Sequence, residues 1–252
     1  MSHERSSRVF AASLALGLSP PAGAGEIQVA VAANFAEPMK TIAEEFQKAA
    51  GHRALLSLGS TGKFYAQIVN GAPFDVFLAA DVETPARIER EGLAISGSRF
   101  TYAIGRLALW SANPNFVDDR GEVLKKGQFN HIALAAPKLA PYGAAAVEVL
   151  EKLGLGVALR PKFVQGENIA QTHQFVATGN AQLGFVALSQ VYLDGKLKSG
   201  SGWIVPAEFH APLRQDAVIL SRAANNPAAP ALIRFLKGAR ARAIIESHGY
   251  GY

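Results

Sequence analysis

Four short segments of this chain set small or polar residues between an apolar, strand-like run and an amphipathic, helix-like run: Ala33-Asn34, Gly59-Ser60-Thr61-Gly62, Pro141-Tyr142-Gly143 and Glu167-Asn168. At such a junction the first backbone N–H groups of the helix have no partner within it, and the helix dipole adds roughly half a positive charge. Several of these turns converging would hold an oxyanion without a metal. Ser60 and Thr61 offer hydroxyl and backbone donors, the Tyr142 phenol offers one donor from a turn fixed by Pro141 and Gly143, and Asn168 precedes the free N–H of Ile169. Each has a plainer alternative: a simple helix cap for Asn34, Ser60 and Asn168, and aromatic core packing for Tyr142. Lys63 falls in a first helical turn, where a cation opposes the dipole. An anion alongside would remove that objection, and the alternative is a side chain whose head stays in water.

Other chemistries lack their residues. Gly59-Ser60-Thr61-Gly62-Lys63 is not a nucleotide phosphate loop, because Ser57 stands where the leading Gly is required and Phe64 where Ser or Thr must follow the Lys. The six histidines show no HExxH spacing, so no bare metal cation is expected. No G-x-S-x-G segment marks a hydrolase nucleophile. Lys125-Lys126 and the set Lys237, Arg240 and Arg242 read as solvated helix faces, and no nucleic-acid module surrounds them.

The elements that must position the four turns alternate. A strand over 27–32 precedes a helix over 35–50 whose Phe35, Met39, Ile42 and Phe46 recur at helical spacing, with Asn34 as N-cap and Gly51 as stop. A strand over 53–58 leads to a helix over 63–69, and the apolar run 74–80 fits a strand buried on both faces, with Asp81 capping the next helix. A long strand-like segment, 100–111, runs from one domain toward another. Strands over 131–136, 162–165 and 184–187 then alternate with helices over 143–153 and 169–177. A strand over 215–221 and a helical stretch over 231–245 bring the chain back. This order predicts α/β sheets with ligand sites outside the carboxyl ends of the strands, in two domains joined by two crossings.

Composition agrees with a buried core: of 252 residues 49% are hydrophobic and 18% charged. Residues 1–24 carry Arg5 and Arg8, a short apolar stretch and Ala22-Gly23-Ala24, the pattern of a secretory signal peptide cleaved after Ala24. Losing Glu4, Arg5 and Arg8 takes the count from 25 positive and 20 negative to 23 and 19, a mature net charge of +4. Cysteine is absent, which suits an exported protein that holds together by its core alone.

The strings AVAANFAEPM (30–39), SLGSTGKFYAQIVNGAPFDVFLAAD (57–81), SRFTYAIGRLALWS (98–111), APYG (140–143) and GFVALSQ (184–190) resemble the periplasmic molybdate-binding proteins of ABC importers. The resemblance implies a two-domain periplasmic binding protein fold of type II, each domain a mostly parallel sheet flanked by helices, with two crossover strands and a ligand cleft between domains. It divides the chain into a signal peptide (1–24), domain I (25–105 plus 212–252) and domain II (106–211). It further implies a monomer in the periplasm that is not an enzyme and carries no cofactor. Molybdate or tungstate would be its ligand, and a permease with its ATPase its partner. Onto this sequence it carries Asn34, Ser60, Tyr142 and the N–H of Ile169 as binding groups, with Ala33, Thr61, Lys63 and Asn168 beside them. Two positions depart from relatives: Asn34 stands where some have serine, its amide keeping a donor, and Ala187 where others have a binding tyrosine that Tyr142 replaces. The alternatives are a binding protein for another small oxyanion or carboxylate using Lys63, and an enzyme acting on a phosphorylated metabolite.

Overall fold

The computed structural model describes residues 25–252, so the expected signal peptide and its cleavage point lie outside the described residues. The first lobe is built from β1 (Glu26–Ala32), α1 (Ala36–Ala50), β2 (Arg53–Gly59), α2 (Thr61–Val69), β3 (Val76–Leu78), α3 (Glu83–Arg90) and β4 (Phe100–Gly105). The chain crosses into β5 (Leu107–Ser111), α4 (Val123–Lys126), β6 (Ile132–Ala135), α5 (Pro141–Lys152), α6 (Gly156–Leu159), β7 (Phe163–Gly166), α7 (Ile169–Ala177), β8 (Leu183–Ala187) and α8 (Leu188–Val191). A small hairpin, β9 (Tyr192–Leu193) and β10 (Lys196–Leu197), precedes β11 (Ser201–Ile204). β12 (Leu213–Ile219) then returns to the first lobe, which α9 (Ala228–Leu236) and α10 (Ala239–Ser247) complete.

Each lobe centres on a five-stranded sheet, ordered β2-β1-β3-β12-β4 and β11-β5-β8-β6-β7. β1 runs parallel to β2 and β3, while β12 opposes β3 and β4. β6 runs parallel to β7 and β8, while β5 opposes β8 and β11. One strand in each sheet is therefore reversed, and it is the strand that follows a crossing. The other four run together, so the turns after β1, β2, β6 and β7 face one cleft.

Local sequence accounts for the frame. Phe35, Met39, Ile42 and Phe46 are fully buried, each burial contributing about 1.5–3 kcal/mol. Gly51 ends α1 at φ 70° with its N–H on the Gln47 carbonyl at 2.9 Å, a left-handed cap that glycine adopts without cost. Asp81 holds the start of α3 by accepting the Thr84 N–H at 2.8 Å.

Five expectations need correction. Asn34 does not cap α1: Ala33–Phe35 form a 3-10 turn, the helix starts at Ala36, and the Asn34 side chain points into the interior. The segment 100–111 is two strands in different sheets, parted at Arg106. The strand within 74–80 shortens to Val76–Leu78. The stretch 231–245 is two helices, because Gly238 takes an extended conformation (φ −80°, ψ 160°) at the N-cap of α10. Helices α2 and α5 begin two residues earlier than periodicity predicts, which puts Thr61 and Tyr142 inside first turns.

Candidate functional site

The carboxyl ends of the two sheets border a cavity of about 10 Å³, close to the room of one water molecule. From the first lobe it is bordered by Ala33, Asn34, Ser60 and Thr61, and from the second by Tyr142, Asn168 and Ile169. Three helix starts therefore aim at it: α2, α5 and α7. None of its bordering residues carries a charge, so polarity here comes from neutral N–H and O–H groups.

Ser60 is the N-cap position of α2 and is 3% exposed, yet its side chain makes no cap hydrogen bond and its Oγ has no hydrogen-bond partner among the described residues. A buried hydroxyl left unpaired costs about 1–3 kcal/mol. Beside it, the Thr61 hydroxyl accepts the Ala80 N–H at 3.0 Å and so fixes the end of β3 to the start of α2. Asn168 caps α7, its Oδ1 accepting the N–H groups of both Ala170 and Gln171 at 3.0 Å. That cap passes over Ile169, whose N–H is the first of the helix.

Tyr142 is 1% exposed in the first turn of α5, where Pro141 supplies the missing-donor position that a helix start tolerates. Burial, reinforced by the neighbouring phenols of Tyr250 and Tyr102, holds its hydroxyl well above the ordinary tyrosine range. Gly143 lets this turn lie on the end of β6, since a Cβ there would overlap the Ala135 carbonyl oxygen.

The Asn34 carboxamide is not the cavity donor that its sequence position suggests. Its Nδ2 donates to Gln215 Oε1 at 2.8 Å and to the Tyr250 hydroxyl at 3.1 Å, which engages both amide protons. The backbone carbonyl of Asn34 accepts from Ser189 Oγ and from the Tyr250 hydroxyl, each at 2.7 Å. What Asn34 can turn toward a guest is its backbone N–H. Gln215, Ser189 and Tyr250, which brace this turn, escaped sequence reasoning. Gln215-Asp216 did leave a signal: two polar residues within a run that otherwise reads as a buried strand.

Lys63 is also corrected. It does not border the cavity, and its ammonium pairs with Glu167 at 2.6 Å, each side chain being nearly half exposed. The pair spans the cleft from α2 to the turn after β7, next to a second bridge in which the Gly62 N–H donates to the Leu139 carbonyl at 3.0 Å. Solvent-exposed pairs contribute about 0–1 kcal/mol. Lys63→Ala should therefore change ligand affinity by less than about fivefold in a calorimetric titration; abolished binding would return Lys63 to the site.

Residues 27–251 match the family model described as bacterial extracellular solute-binding protein. The chain is 62% identical over 234 residues to the molybdate-binding protein ModA of Azotobacter vinelandii, covering 93% of both. It is 51% identical over 240 residues to ModA of Rhodobacter capsulatus, covering 95% of this chain and 94% of that one. Among solved structures, the Azotobacter vinelandii periplasmic molybdate-binding protein superposes with a TM-score of 0.87 at 43% identity, covering 90% of this chain and 99% of the other.

Proposed function

The chain belongs to the bacterial extracellular solute-binding protein family, and from its 62% and 51% identity to two molybdate-binding proteins we infer that it captures molybdate, and tungstate by the same contacts, between its two lobes. It delivers the anion to the permease and ATPase of an ABC importer. It works in the periplasm as a monomer after removal of a signal peptide at Ala24, without a resident cofactor and without turnover. The observation that carries this reading is the buried, unpartnered Ser60 Oγ facing a neutral cavity where three helix starts meet.

Molybdate is a tetrahedral dianion with no proton at neutral pH, so a site of donors alone suits it. The binding groups are the N–H of Asn34, Ser60 through its hydroxyl and N–H, the Tyr142 hydroxyl and the N–H of Ile169. Ala33 and Thr61 hold the flanking backbone, and Asn168 holds Ile169. A protonated phosphate would bring an O–H that the backbone N–H groups cannot accept and that Ser60 could accept only by turning its own proton away from the guest, a mismatch of about 1–3 kcal/mol. Sulfate is smaller, and its oxygens would fall short of donors that weaken beyond about 3.2 Å. Hydrogen bonds to a charged group contribute about 1.5–3 kcal/mol each, so five can give micromolar affinity or better after association costs.

The test is thermal unfolding with a panel of oxyanions. At a hundredfold excess over Kd, molybdate and tungstate should add about 2.7 kcal/mol, and each kcal/mol moves the midpoint of a chain this size by roughly 2–4 °C. A midpoint unmoved by both anions but raised by sulfate, phosphate or a carboxylate would overturn the assignment. Affinity should also stay level between about pH 6 and 9, measured by calorimetry. The raised Tyr142 value keeps the proton on the phenol throughout that window, and its donor would fail only as pH climbs past it. A fall in affinity within the window would mean that a titrating group outside this set contacts the anion.

A further inference from the structure

Behind the cavity wall, away from any contact with a guest, Gln215 is fully buried on β12. Its Oε1 accepts Asn34 Nδ2 at 2.8 Å and the Tyr102 hydroxyl at 2.9 Å, and its Nε2 donates to the Tyr142 hydroxyl at 3.0 Å. Two features of the fold exist around this side chain. The register of β12 against β4 shifts between Gln215 and Asp216, the kind of irregularity that re-aims a side chain beside a functional site. Beside it on β4 stands Gly105, the pairing partner of Leu213, where a Cβ would overlap both Tyr142 Oη and Gln215 Nε2. The crossing strand is thus bare where the two side chains meet, and the hydrogen bond between them joins the lobes beside the crossing.

We propose that Gln215 is a positioning residue for ligand selection: by donating to the Tyr142 oxygen it presents the phenolic proton to the guest, so that Tyr142 meets the anion as a donor. This rests on the assignment of Tyr142 to the molybdate site. A fully deprotonated guest can only accept, which sends the Tyr142 proton outward and leaves its oxygen to be filled from behind. Gln215 Nε2 fills it, and Asn34 Nδ2 in turn fills Gln215 Oε1. Donors then run in one direction, from Asn34 through Gln215 and Tyr142 to the guest, and hydrogen bonds aligned in this way polarise one another. The Tyr250 oxygen, which also receives Asn34 Nδ2, is the rival acceptor for the Tyr142 proton, but a dianion accepts more strongly than a neutral phenol. A guest carrying its own proton toward Tyr142 would meet a relay pointing the wrong way.

The test is a set of double-mutant cycles read by calorimetric titration of the full-length mature protein with molybdate. Gln215→Met and Tyr142→Phe should each weaken binding by roughly tenfold to hundredfold, and the double variant should be little worse than Tyr142→Phe alone. Paired with Ser60→Ala, the Gln215→Met loss should instead multiply, because Ser60 is held separately. Should Gln215→Met fail to fold for want of an acceptor for Asn34 and Tyr102, Gln215→Glu keeps both acceptors. Its loss should shrink in the Tyr142→Phe background, whereas simple repulsion of the dianion would persist there unchanged. Losses that multiply with Tyr142→Phe overturn the role of Gln215 while leaving the molybdate assignment intact. A wild-type protein that takes up no molybdate removes the assignment, and this inference with it.

Discussion

Gly143→Ala should weaken molybdate binding by at least about a hundredfold and lower stability by about 3 kcal/mol, the upper part of the range for overpacking a tight site. At this position an added methyl meets no flexible side chain that could swing aside. It would overlap the carbonyl oxygen of Ala135, lie 2.7 Å from that residue's carbonyl carbon and 3.2 Å from that of Ala136, all of them backbone. The first turn of α5 must therefore retreat from the end of β6, and Tyr142 goes with it. Hydrogen bonds weaken steeply outside about 2.7–3.2 Å, so a shift approaching 1 Å removes the Tyr142 contact. Gly156→Ala is the matched control. Its added Cβ would find only Glu151 Cγ at 3.8 Å, an ordinary contact, and stability should stay within about 0.5 kcal/mol of wild type. Calorimetry measures the loss of affinity and urea unfolding the loss of stability. A Gly143→Ala protein that binds molybdate as tightly as wild type would show that α5 does not set the site.

How far the sequence revealed this arrangement depended on whether each feature was local. The turn at Gly59-Ser60-Thr61-Gly62 and the cap at Asn168 are written in a few consecutive residues, and both helices begin where those residues stand. The alternation of strands and helices likewise follows from apolar periodicity and reads through nearly all of the described chain. Asn34 misleads because the same short amide serves as a cap or as a buried bridge. Its choice is made by Gln215 and Tyr250, which lie 181 and 216 positions away. Rings from distant segments also floor that turn: Phe35 packs edge-on against Tyr102 at 4.7 Å and Tyr250 at 5.4 Å. Lys63 misleads similarly. The dipole argument rightly asks for a nearby anion, but the anion is Glu167 from the other lobe, which only the closed cleft brings within reach. Periodicity did not divide 100–111 into two strands, because the strand character on both sides of Arg106 is the same and only the partners differ.

Ser60→Ala should lower molybdate affinity by roughly tenfold to hundredfold while leaving the ligand-free protein as stable as wild type or slightly more so. The two halves of this expectation have one cause. The hydroxyl is buried and has no hydrogen-bond partner among the described residues, so its removal deletes no hydrogen bond there and relieves an unpaired polar atom. Residues kept for binding commonly behave this way, because the interaction that justifies them is made with the ligand and not with the fold. A structural cap would do the opposite: its loss costs about 1 kcal/mol of stability. Asn168 supplies that contrast within the same site, since its Oδ1 holds two N–H groups of α7. Asn168→Ala should therefore lose stability first and affinity only through the loosened Ile169 N–H. Chemical unfolding of the ligand-free variants, set beside their molybdate titrations, separates the two behaviours. If Ser60→Ala instead unfolds about as readily as Asn168→Ala and binds molybdate like wild type, Ser60 serves the fold alone, and the donor set for the anion must be sought elsewhere in the cleft.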